Sequence, residues 1–107
     1  MICRIVSGEI PSKRVHEDEL AIAFHDVAPV APVHILVVPR AHVAKLADLT
    51  DQRLGGHLLQ VAREVAAGAG VADSFRIVVN NGDRAGQSVW HLHLHVLGGR
   101  DFAWPPG

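Results

Sequence analysis

An α+β fold, with a largely antiparallel sheet and one long helix, is the class this sequence predicts. Three observations lead there. Apolar, β-branched runs come in short pieces bounded by Pro and Gly; only one stretch carries extended helical periodicity; and strands both precede and follow that stretch instead of alternating with further helices. The 107 residues fit one domain, 1–107, and 49% hydrophobic content supplies a core. A domain of this size buries a limited fraction of its surface, so pairing with a second copy would help it.

Taken in order, Cys3 to Val6 is short and amphipathic, bracketed by Gly8 and Pro11, and predicts a single helical turn. Val15 to His25 reads as two strands around the acidic turn Glu17-Asp18-Glu19, with Leu20 to Phe24 as the second. Asp26 to Pro32 holds two prolines and predicts a loop. His34 to Val38 is a buried strand that Pro39 ends. Thr50 is the expected N-cap of the long helix, Leu54, Leu58, Val61 and Val65 form its buried face, and Gly68-Ala69-Gly70 stops it. Gly55 and Gly56 inside that helix cost about 1 kcal/mol each relative to Ala. Close approach of a partner's backbone would explain them; ordinary sequence variation is the plain alternative. Phe75 to Val79 predicts a strand, Asn80-Asn81-Gly82-Asp83 a turn, and Val89 to Leu97 the last strand, broken by Gly98-Gly99. The tail, Trp104-Pro105-Pro106-Gly107, excludes regular structure.

A net charge of −1 gives no electrostatic case for broad nucleic-acid binding. Cys3, the only cysteine, excludes an intramolecular disulfide and a Cys-rich zinc site. No signal-peptide core follows Met1 and no apolar run approaches the ~20 residues of a membrane span. The expectation is a soluble cytoplasmic protein with no membrane partner.

Eight histidines in so short a chain point to chemistry. Side chains alternate along a strand, so His91, His93 and His95 are expected on one face and Leu92, Leu94 and Val96 on the other. A merely solvated face would be better served by Lys, Thr or Glu. A metal site is a second reading, since imidazole is a common ligand. Against it, residues at i and i+4 lie too far apart to share one ion, and the motif contains no carboxylate. Phosphate chemistry is the third reading: one imidazole as nucleophile, a neighbour to hold the anion or protonate a leaving group. Gly86-Gln87-Ser88, just upstream, offers backbone N–H groups, an amide and a hydroxyl as phosphate donors, which favours the third.

The block from Gly86 to Arg100, with His91-Leu92-His93-Leu94-His95-Val96-Leu97 at its centre, resembles the signature of the histidine triad (HIT) family and is similar to its Hint branch. So are the Trp104-Pro105-Pro106-Gly107 ending, Gly8-Glu9-Ile10-Pro11-Ser12-Lys13, Ala23 to Asp26, Ala31 to His34 and Val38 to His42, so that the resemblance runs along nearly the whole chain. It implies a homodimer with one sheet continued across the interface, purine nucleotide binding, and hydrolysis of nucleoside phosphoramidates such as adenosine 5′-phosphoramidate or AMP–lysine. No cofactor and no metal are implied. By position, His93 is the nucleophile, His95 meets the phosphate and leaving group, and His91 with His34 forms a relay orienting His93. Gln87 and Ser88 match phosphate-contacting positions, Ser88 beside the leaving group, with Gly86 and Asn80 nearby. Asp26 matches a carboxylate that takes ribose hydroxyls, with Val27 adjacent; Ile2, Ile5 and Phe24 match the base pocket; Trp104 matches an aromatic that approaches the partner's site. His16, His25, His42 and His57 are expected to be surface or structural. Ile2 departs from an aromatic common in the family, and the cysteine pair that holds zinc in some relatives is missing. A nucleotide-binding regulatory protein with little turnover, and a hydrolase of dinucleoside polyphosphates, are the alternative functions.

Overall fold

The computed structural model describes residues 2–8 and 11–107; Glu9 and Ile10, part of the resemblance, lie outside them. Helix α1 is Ile2–Ser7, and the strands are β1 (Arg14–Glu17), β2 (Ala21–His25), β3 (Val33–Pro39), β4 (Phe75–Val78) and β5 (Leu94–Gly98), with helix α2 (Gln52–Gly68) between β3 and β4. The strands form one sheet in the order β1-β2-β3-β5-β4, and every neighbouring pair is antiparallel. Among the described residues no helix is long and apolar enough to cross a membrane.

Strand alternation divides the apolar residues between two faces. Ala21, Ala23, Ile35, Val37, Leu94 and Val96 turn to α2, where they meet the predicted stripe of Leu54, Leu58, Val61 and Val65. Ile22, Phe24 and Val38 turn the other way and are covered by Ile2 and Ile5 of α1. Arg14 fastens α1 by donating to the Ile5 carbonyl at 2.5 Å, which satisfies one of the helix's unpaired carbonyls.

β2 and β3 differ from expectation by one residue at each end, and three further boundaries differ. The cap of α2 is Asp51, not Thr50: its carboxylate accepts from the N–H groups of Arg53 and Leu54. Asp at the N-terminus also complements the helix dipole. Val79 falls just outside β4. The third difference matters most. The last strand spans only Leu94–Gly98, so His91 and His93 precede it. The β3–β5 ladder ends at the pair Val37–Leu94. Two residues further, Pro39 stands where Leu92 would pair, and Pro has no N–H to offer. Leu92 instead donates to the Val43 carbonyl at 2.6 Å. The face alternation nevertheless persists, since Leu92 joins Leu94 and Val96 in the α2-side core.

A Cβ added at Gly55 would lie 3.4 Å from the Leu49 side chain and one at Gly56 would meet nothing within 4 Å, so among the described residues no approaching backbone accounts for either glycine. Gly99 has its reason locally: φ is +87°, and a Cβ would come within 2.9 Å of the Pro32 ring.

A carboxylate clasp joins α2 to the β1–β2 hairpin. One Asp18 oxygen lies 2.6 Å from His16 Nε2 and 2.7 Å from His57 Nε2. The other accepts the N–H groups of Leu20 and Ala21 at 2.7 and 2.8 Å. Burial opposes the charge, but the hydrogen bonds from His16, Leu20, His57 and Ala21 outweigh it and hold the carboxyl well below its ordinary range. The unfolded chain therefore binds the proton more readily, and the clasp's contribution is full above about pH 4 and drains as pH falls further. Asp18→Asn is expected to cost roughly 2 kcal/mol at pH 7, or about 10 °C in Tm. Thermal melts at pH 7 and pH 3 check this; a deficit that does not shrink at pH 3 contradicts it.

Candidate active site

His34 and His95 meet because of register. On β3 and β5, His95 pairs with Leu36, so His34, two residues back on the same face, is its diagonal neighbour. Their rings lie 5.2 Å apart, and His34 Nε2 is 2.9 Å from His95 Nδ1. The loop after β2 wraps His34: Asp26 N–H donates to its carbonyl at 2.9 Å, Val30 N–H donates to Nδ1 at 3.1 Å, and Asp26 Oδ2 lies 3.3 Å from Nε2. Asp26 Oδ1 is fixed by Ala28 N–H at 2.9 Å.

These contacts determine where the protons sit. An amide N–H can only donate, so His34 Nδ1 is an acceptor and Nε2 carries the hydrogen. That hydrogen points to His95 Nδ1, which leaves the His95 proton on Nε2. Burial, reinforced by His93 and His34 and opposed by Asp26, pushes His95 down to about 4, so at neutral pH it is an uncharged N–H donor. Burial also lowers His34, against the pull of Asp26.

His93 is set independently. Its Nδ1 lies 2.8 Å from the His91 carbonyl, which can only accept. Nδ1 therefore carries the hydrogen, and in the neutral ring Nε2 holds the lone pair. The His93 and His95 rings are 5.0 Å apart, edge to face. A ring nitrogen with a lone pair and an N–H donor thus lie on adjacent rings.

His91 has a different place. It is buried, its Nε2 donates to the Pro39 carbonyl at 2.8 Å, and its ring meets His42 edge-on at 5.3 Å. Burial lowers its basicity, with the Pro39 bond opposing and His42 and His93 adding to the effect. The expected relay of His91 and His34 onto His93 is divided in this structure. His34 addresses His95, and His91 reaches His93 through its backbone carbonyl.

The upstream loop also departs from expectation. Gly86 N–H donates to Asp83 O and Gln87 N–H to Gly82 O, at 3.0 and 3.1 Å. The Gln87 amide is buried, accepting from Gly82 N–H and donating to the carbonyls of Ala44 and Val89. These donors hold the loop together, and φ of +92° at Gly86 makes the turn. Ser88 stands exposed. Asn80 is half-buried, two residues past Val78, the partner of His95. Its neighbour Asn81, expected only as a turn residue, accepts from Ala47 N–H at 2.7 Å.

Of the residues matched to the base pocket, Ile2, Ile5 and Phe24 are buried together under α1. Val27, at 95% exposure, lies open beside Asp26. Trp104 is exposed in the tail, which is anchored by Phe102 between Arg76 and Arg100, whose guanidinium carbons lie 5.0 and 4.3 Å from the ring centroid. That anchor carries no motif and was not anticipated. A separate cavity of about 260 Å³, lined by Val15, His16, His25, Glu64 and Val65 among others, contains none of the predicted site residues.

One grouping revisits the metal reading. Donor atoms of Asp26, His34 and His95 all lie within 4.8 Å of one another, so the carboxylate missing from the motif arrives from a distant loop. A proton shared across 2.9 Å accounts for the His34–His95 contact directly.

Comparison with known proteins agrees with this fold. The HIT domain profile matches residues 7–102. The chain is 54% identical over 106 residues to an uncharacterized HIT-like protein of Synechocystis, covering 97% of this chain and 93% of that one. A HIT family hydrolase from Legionella pneumophila superposes with a TM-score of 0.96 at 41% identity, covering 100% of this chain and 98% of the other. A histidine triad nucleotide-binding protein from Candida albicans gives a TM-score of 0.85 at 28% identity, over 97% and 81% of the two chains. With its fold and nearly its whole length accounted for by these matches, the chain belongs to the HIT domain family.

Proposed function

We propose that this protein is a hydrolase of the Hint type that cleaves the P–N bond of purine nucleoside 5′-phosphoramidates through a nucleotidyl-His93 intermediate. The observation that carries this reading is the pair of opposite proton placements, with a lone pair on His93 Nε2, fixed by the His91 carbonyl, and a hydrogen on His95 Nε2, fixed through His34 by the Val30 N–H. His93 Nε2 attacks the α-phosphorus; the P–N bond breaks, and its electron pair leaves with the amine, which takes its proton from water on the His95 side while neutral His95 contributes a hydrogen bond and keeps its own proton. Water then cleaves the His93–phosphorus bond, giving the nucleoside monophosphate and restoring His93. The Legionella and Candida relatives, a HIT family hydrolase and a histidine triad nucleotide-binding protein, support the class; the Trp104-Pro105-Pro106-Gly107 ending supports the branch.

In this reading Asp26 takes the ribose hydroxyls beside Val27, and Ser88 and Asn80 flank the phosphate. Ile2, Ile5 and Phe24 back the base, while Trp104 serves the partner's site. Gly86 and Gln87 shape the phosphate loop. Domain 1–107 acts whole and cytoplasmic, without metal or organic cofactor. Turnover of adenosine 5′-phosphoramidate by the wild type and by His93→Ala is the test, and equal rates would sink the assignment.

We also infer a homodimer. β4 is an outer strand with an open edge, and its four residues are all half-buried, a combination that favours sheet continuation over a solvated edge. Equilibrium sedimentation is expected to give about twice the monomer mass; a monomer at micromolar concentration would contradict it.

A further inference from the structure

One N–H in the site has a hydrogen-bond acceptor ahead of it and a carboxylate close beside it. His34 Nε2–H faces His95 Nδ1 at 2.9 Å and Asp26 Oδ2 at 3.3 Å, while Val30 N–H closes the other side of the ring. No proton can enter His34 from behind. If His95 becomes cationic it carries a hydrogen on Nδ1, pointing straight at the His34 hydrogen. The conflict resolves only when the His34 N–H turns wholly to Asp26. Asp26 therefore governs how readily His95 accepts a second proton.

We propose that Asp26, acting through His34, sets the protonation of His95, and that sugar hydroxyls engaging Asp26 are thereby felt at the reacting phosphate as well as in binding. The ribose half of this rests on the function proposed above; the Asp26–His34–His95 coupling does not. Hydroxyls donating to the carboxylate disperse its charge and occupy its lone pairs. The His34 hydrogen then goes to His95 Nδ1 and holds the His95 proton on Nε2. The charged and titratable groups facing His95 are His93 from its own segment, His34 from β3 and Asp26 from the loop; β4 presents the apolar Val78 opposite it. Of the three, Asp26 alone favours the cation. Asp26 is thus a positioning residue whose occupancy a nucleotide changes and a bare phosphate does not.

Histidine side-chain NMR on the full chain tests this with two arms. In the ligand-free arm, Asp26→Asn is expected to lower the His95 pKa by on the order of half a unit or more; an unchanged value overturns the coupling whether or not nucleotides bind. In the ligand arm, saturating AMP is compared with 2′,3′-dideoxy-AMP, which has the same base and phosphate. His95 is expected to titrate about half a unit lower with AMP, and His34→Gln is expected to at least halve the difference. Identical His95 titrations in the two complexes overturn the ribose effect. Failure of both nucleotides to shift any resonance overturns nucleotide binding, and the ribose effect with it, while the first arm still decides the coupling.

Discussion

Replacing His93 by alanine is expected to lower turnover of adenosine 5′-phosphoramidate by at least about 10⁴-fold while the fold stays intact. The size of the effect follows from what the residue does. Loss of a hydrogen-bond donor to phosphate costs about 10²- to 10³-fold, because other donors remain. Loss of the atom that forms the covalent bond removes the pathway itself. The structural cost is small by comparison. His93 is half-buried, and its one hydrogen bond goes to the His91 carbonyl, which solvent entering the vacated space can satisfy. Tm should fall by no more than a few degrees. His91→Ala is the contrasting case, since that ring is buried and satisfies the Pro39 carbonyl. Rapid-quench kinetics add a second reading: wild-type protein should show a nucleotidyl adduct on His93, and the variant none. A folded His93→Ala protein retaining more than a few per cent of wild-type turnover would exclude the covalent route.

The elements with strong periodicity were readable from sequence because local pattern and burial agree in them. Leu54, Leu58, Val61 and Val65 declare α2, and His34 to Val38 with its closing proline declares β3. Errors arose where a distant residue decides. Thr50 and Asp51 are both good capping types, and only the chain direction into Gln52 chooses between them. The histidine strand reads as continuous from Val89, yet Pro39, some fifty positions earlier, removes the partner N–H and shortens it to Leu94–Gly98. The site divides the same way. His93 and His95 lie within one motif and were legible as neighbours. The link from Asp26 through His34 to His95 depends on β3–β5 register and on how the proline-bearing loop folds back, neither of which is written in local spacing. Gly86 and Gln87 show a further role that local spacing does not announce. Their donors suit a phosphate, but the tight turn they form uses those donors first.

Gln87→Leu provides the strongest test of that last point, and its expected effect is on stability. The amide is 5% exposed and links three segments: Oε1 accepts from Gly82 N–H at 2.9 Å, and Nε2 donates to the carbonyls of Ala44 at 2.8 Å and Val89 at 3.0 Å. Leucine fills a similar volume and satisfies none of them. Each stranded buried group costs about 1–3 kcal/mol, and partial access of water limits the sum to roughly 3–4 kcal/mol. For a chain of this size that is about 15–20 °C in Tm. Gln87→Glu should be comparably damaging, because its carboxylate keeps the bond from Gly82 N–H but faces two carbonyls with no hydrogen to give. Activity should fall as a consequence. Ala44 adjoins Val43, whose carbonyl holds Leu92 N–H, and Leu92 separates His91 from His93. Loosening the 43–44 segment therefore loosens the backbone carbonyl that fixes the His93 proton. The expected pattern is a large loss of Tm with a fall in kcat. A Gln87 that served only to touch phosphate would give the reverse, an unchanged Tm with a raised KM, and thermal melts alongside steady-state kinetics distinguish the two.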